Sequence, residues 1–126
     1  MFSLKLFAIV FIVGIILDII WIGFIIGDFF KQELGDLYVP KFSLAAVLAY
    51  VVMSAAIVFF VLQHPSVTSV KTAIYVGALF GFTLYAVYDF TNLAILKTYS
   101  IKFMVVDILW GTFLGGVVSG VGKYFA

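Results

Sequence analysis

Three aspartates, Asp18, Asp89 and Asp107, each interrupt a long apolar stretch of the chain. An aspartate near the centre of a membrane span costs roughly 2.5 to 3.5 kcal/mol on insertion scales. No lysine lies level with any of the three, and the chain contains no arginine. A buried carboxylate without a cationic partner must keep a proton, share one, or take a cation from outside. The chemistry within reach is therefore proton binding, binding of a cationic solute, or general acid–base work by an intramembrane acid. The opposing reading is structural glue, in which the carboxyls only accept hydrogen bonds from Trp, Tyr and Asn. Polar contacts between membrane helices average about 0.6 kcal/mol. At that strength, glue does not offset three insertion penalties.

The elements that must position these acids follow from composition. Of the 126 residues, 66% are hydrophobic and 10% are charged. That is too little polar surface to cover a water-facing globule, so the solvent is lipid. A crossing needs about 20 mostly apolar residues, and four stretches qualify, over residues 4–26, 43–63, 72–96 and 103–122. Short connections make neighbouring spans antiparallel, which predicts an all-α, integral membrane four-helix bundle forming one transmembrane domain. The first span holds seventeen Leu, Ile, Val and Phe residues, which outweigh Asp18. The fourth holds only ten with five glycines, so it depends on its neighbours to stay inserted.

The amino-terminal run reads as an uncleaved first span, since its apolar core exceeds the usual 7–15 residues of a signal peptide and no small-residue cleavage pattern follows. In the first connection (27–42), Phe30, Leu34, Leu37 and Tyr38 share a helical face. That spacing suits a short helix lying in the interface, and an ordinary loop anchored by aromatics is the equal alternative. Lys5, Lys71 and Lys123 fall on one side of the membrane, and Lys31, Lys41, Lys97 and Lys102 on the other. So even a split leaves the orientation open and fits a dual-topology homo-oligomer.

Other chemistries are excluded by what is missing. A net charge of +1 without arginine gives no footprint for nucleic acid. The absence of cysteine removes disulfides, thiol catalysis and thiolate-bound metals. The single histidine, His64, stands beside Pro65 as an exposed loop residue. No metal site, nucleotide motif or cofactor is expected.

Depth arithmetic brings the polar residues together. At ~1.5 Å per residue from the side of the first and third connections, Asp18 lies ~13 Å deep, Asp89 and Tyr50 ~12 Å, and Asp107 and Asn92 ~7 Å. The pattern Asp-x-x-Trp occurs in the first span (Asp18, Trp21) and in the fourth (Asp107, Trp110). Those spans run in opposite directions, which predicts reciprocal contacts from Trp110 to Asp18 and from Trp21 to Asp107. Tyr85, Tyr88, Asp89 and Asn92 share one face of the third span, with Thr91 at its margin. Tyr38, Tyr99 and Tyr124 are expected as interface anchors. The pairs Gly77/Gly81, Gly111/Gly115 and Gly116/Gly120 are expected as close-packing positions.

At Asp18-x-x-Trp21, Tyr88-Asp89-x-Thr91-Asn92-Leu93-Ala94 and Val106-Asp107-x-x-Trp110-Gly111 the chain resembles a family of small bacterial membrane proteins, catalogued as domain of unknown function 2177. The resemblance runs the whole length, including Leu34-Gly35 of the first connection. It implies four spans in a bacterial inner membrane and supplies no reaction and no ligand. The residues by themselves favour a cluster that binds protons or a small cationic solute, extending to transport. A lipid-modifying enzyme using Asp89 or Asp18 as general acid–base and an accessory subunit of a larger membrane complex are the alternatives. The partners expected are membrane lipid and the solute or proton.

Overall fold

Each span opens on a serine. Ser3, Ser43, Ser69 and Ser100 have extended backbones, and their hydroxyls accept from the amides of Leu6, Ala46, Thr72 and Phe103. A capping oxygen satisfies one of the orphaned donors of a first helical turn. The computed structural model describes residues 1–39 and 43–126. The described residues form α1 (Leu4–Ile20), α2 (Gly27–Leu34), α3 (Leu44–Ile57), α4 (Val70–Ile95) and α5 (Ile101–Tyr124), with no strand among them. Single π turns, Trp21–Ile26 and Val58–Leu62, extend α1 and α3.

The result is an all-α bundle with four helices long and apolar enough to cross a membrane. The third and fourth spans open at Val70 and Ile101, two residues before the positions that hydropathy suggests. The serine caps, rather than the apolar pattern, set these edges. The first connection is helical: α2 continues α1 beyond its π turn and ends at Gly35, whose φ of +56° favours glycine. Phe30 anchors α2 against α5, its ring edge-on to Phe103 at 4.9 Å. Lys41, counted above in the charge split, lies outside the described residues.

α4 and α5 share the most extensive contact. Their glycines are the reason. A Cβ on Gly81 would collide with the Gly111 carbonyl, and one on Gly115 with the Gly77 carbonyl, so the two backbones touch directly. Gly116 and Gly120 face Ile74 on the same interface, so all three glycine pairs serve packing within the chain. α1 packs between α3 and α5. Its buried stripe, Leu6, Val10, Gly14 and Asp18, advances by four residues at each step and changes from apolar to acidic along its length.

That change divides the bundle in two. In the half away from α2, Leu6, Val10, Ile57, Val58, Val61, Leu62, Leu114 and Val118 form a closed apolar core. In the other half α3 leaves α4, packing on it chiefly through the π turn at Val58–Leu62, and a cleft opens between them.

The glycine contact makes a measurable demand. Gly81→Ala is expected to lower stability by about 1–3 kcal/mol through overpacking against backbone. Gly23→Ala, where an added Cβ meets nothing within 4 Å, should be close to neutral. Unfolding of the two variants in mixed micelles, followed by circular dichroism, checks the contrast.

Candidate functional site

Asp18 is held by neutral donors from two other spans. The Tyr50 hydroxyl donates to Oδ2 at 2.5 Å, and the Trp110 indole donates to Oδ1 at 2.6 Å. One carboxyl thereby ties α1 to α3 and α5, and it is only 5% exposed. The contact from Trp110 to Asp18 is the one expected from the inverted Asp-x-x-Trp repeat.

Its reciprocal does not form. The Trp21 indole nitrogen is buried without an acceptor, and the ring lies flat on Trp110 instead, with centroids 4.4 Å apart and planes 1° from parallel. The two rings come close enough to stack face to face. Stacking then fixes the direction of the Trp21 N–H, and Asp107 does not receive it.

Asp89 is fully buried. Its Oδ1 accepts from the Tyr99 hydroxyl at 2.6 Å, while Oδ2 has no donor. The acid beside it is Asp107, within hydrogen-bonding reach and also within electrostatic reach of Asp18. Among the described residues, the charged groups acting on Asp107 are two further carboxyls and no lysine. Asp107 thus stands between the other two acids in its interactions.

Tyr85 stands among them. Its ring occupies the space a side chain at Gly111 would need, and it lies within electrostatic reach of Asp18, Asp107, Tyr50 and Asp89. Asn92, one turn beyond Asp89, donates to the Tyr99 oxygen at 3.4 Å. Tyr88 sits at the cleft margin, 60% exposed. Thr91 is exposed and does not line the cleft, since two residues past Asp89 on a helix is close to the opposite side.

Sequence reasoning missed Tyr99, read as an interface anchor. The chain between α4 and α5 turns its phenol inward against Asp89, and the ring rests edge-on to Phe103 at 5.8 Å. The only available signal was a hydroxyl-bearing residue beside a serine cap at the mouth of a short connection. His64 is exposed and bonded locally to Ser66, as expected.

The cleft encloses 710 Å³ between α1, α3, α4 and α5. Asp18, Asp107 and Tyr50 line its inner wall with Trp21, Trp110 and Tyr85, and Ala45, Ala46, Ala49 and Ala56 on α3 leave its side open. Phe30 of α2 closes the end towards the headgroups. Asp89 does not line it and stands behind Asp107.

These features define a multi-pass helical membrane protein with a buried acidic cluster beside a lateral cleft. The chain belongs to the family described as predicted membrane protein, domain of unknown function 2177 (DUF2177), whose model matches residues 3–124. Neither the curated proteins nor the solved structures hold a match to it.

Two outcomes follow from the hydrogen bonds. Tyr50→Phe removes one donor from Asp18 and should lower stability by about 0.6 to 1.7 kcal/mol, measured by unfolding in mixed micelles. Burial, and then the bond to Asp89, pushes the Tyr99 phenol above its ordinary range, while Asn92 opposes the shift. The protonated phenol is the form the fold favours. Its contribution is complete below the ordinary phenol value and is lost as pH rises through the higher folded value. In a tyrosinate absorbance titration, the difference between wild type and Tyr99→Phe should therefore stay flat until well above pH ~10.

Proposed function

We propose that the Asp18–Asp89–Asp107 cluster binds a proton and a small organic cation in competition, with the cation arriving from the membrane through the α3–α4 cleft. The observation that carries this reading is the Asp89–Asp107 pair, two neighbouring acids with no lysine acting on Asp107 among the described residues. Such a pair requires a shared proton or a cation held against it. The cleft walls supply the rest of the recognition. Trp21, Trp110, Tyr50 and Tyr85 present aromatic faces and phenols around Asp18 and Asp107, the combination that attracts a desolvated organic cation. An anionic lipid headgroup meets repulsion at the same place.

Asp107 is the group that exchanges, since it both lines the cleft and faces Asp89. Asp18 already receives two donors and shapes the wall. Competition between proton and cation for one buried site is the binding half of an exchange transporter. We extend the reading to transport on that ground, in a bacterial inner membrane. An enzyme role has less support, because every hydroxyl bonded to the acids is a phenol that donates to a carboxyl.

The test uses purified protein in weakly buffered detergent with tetraphenylphosphonium as probe. Addition should release about one proton per cation bound and quench the fluorescence of the stacked tryptophans. Asp107→Asn should abolish the release. A wild-type protein that neither releases protons nor changes fluorescence with this probe or with a smaller quaternary amine overturns the proposal.

A further inference from the structure

A second hollow opens on the headgroup side of the cluster, lined by Glu33 and Asp36 of the first connection and by Thr98, Tyr99 and Ser100 of the third. About half of its lining is polar, against a mainly apolar cleft, and it lies among residues of the first and third connections. Tyr99 belongs to both places. Its ring helps form this hollow, and its hydroxyl donates into the buried carboxyl of Asp89. Beyond Asp89 lies Asp107, and beyond Asp107 lies the cleft.

We infer that Tyr99 is a proton relay connecting water in the Glu33/Asp36 hollow to the buried Asp89–Asp107 pair, so that the cluster exchanges protons with the aqueous face by a route separate from the cleft. This rests on the reading of that pair as a proton site. The step balances without a co-reactant. The Tyr99 O–H bond breaks as its proton passes to Asp89 Oδ1, and a hydronium ion in the hollow breaks one of its own O–H bonds to reprotonate the phenolate oxygen, leaving water. Discharge is the reverse.

The local geometry suits such a relay. The donor–acceptor distance of 2.6 Å favours transfer. The contact from Asn92, at 3.4 Å, is long and leaves the Tyr99 oxygen able to accept a second proton from outside. Glu33 and Asp36 raise the local concentration of protons at the mouth. A structural phenol needs only its bond to Asp89. It does not need a polar hollow with two acids on its other side. The groups around Tyr99 are Asp89, Asn92 and Tyr88 from α4, Phe103 from α5, and Glu33 and Asp36 from the first connection.

The experiment follows deuterium uptake by the protonated carboxyl, read as the shift of its infrared carbonyl band when reconstituted protein is moved from H2O to D2O. Asp107→Asn assigns the band. Tyr99→Phe keeps the ring against Phe103 and removes only the hydroxyl. It should retain the band and slow its deuteration by roughly a hundredfold. A Tyr99→Phe band that shifts as fast as wild type overturns the relay and leaves the proton site standing. A wild-type protein with no such band overturns both. If Tyr99→Phe loses its helical circular dichroism, the surface variant Glu33→Gln/Asp36→Asn decides. Slowed deuteration upholds the relay, and an unchanged rate overturns it.

Discussion

A carboxyl group in the membrane interior must find a donor, a proton or a cation, and this requirement organises the loop-side half of the molecule. Asp18 meets it with two neutral donors and in doing so fixes the relative positions of three helices. Asp89 meets it on one side only, through Tyr99. Asp107 faces another acid. The three residues share a type and a depth range yet occupy three electrostatic situations, which is what separates a structural acid from an exchangeable one. A bundle held only by apolar contacts has no reason to carry that difference.

The remaining architecture keeps this arrangement in place. The glycine-lined contact of α4 with α5 puts Asp89 and Asp107 on two helices whose backbones touch, so their separation is set by main chain rather than by flexible side chains. The ring sequence Tyr38, Phe30, Phe103, Tyr99 runs across the headgroup end and joins α2 to the mouth of the third connection. Each contact is edge-to-face, the geometry that aromatic quadrupoles prefer. The relay residue and the cap over the cleft are therefore parts of one aromatic cluster.

Much of this was legible in the residue string. Four spans follow from apolar length alone, and the meeting of Asp18, Asp89 and Asp107 follows from counting rise per residue from the connections. The Trp110–Asp18 bond follows from an inverted repeat. What periodicity does not encode is the direction of a residue outside a helix, so Tyr99 could be placed at the interface but not turned inward. Nor does depth distinguish a hydrogen bond from a ring stack, which is why Trp21 met Trp110 and not Asp107. The cleft left a faint trace in the alanines at 45, 46, 49 and 56, spaced along α3 like a missing row of side chains. The serine caps were in plain view, but hydropathy weighs apolar length and takes no account of a single hydroxyl at a boundary.

The closed apolar half bears on any traffic across the membrane. Leu114, Val118, Val58 and Val61 leave no opening there, so whatever reaches the acids from the cleft stands in a blind alley. A route onward would require helices to part on that side. α4 and α5 are poor candidates, because separating them strands carbonyls and glycine backbone in hydrocarbon. Between α1 and α3, below Tyr50 and Asp18, aliphatic side chains pack with Phe7, and at the far end Gln63 bonds the Ser3 amide and the Met1 carbonyl. The Tyr50–Asp18 hydrogen bond spans that seam at the cleft end, so the two helices are pinned at both ends of their contact.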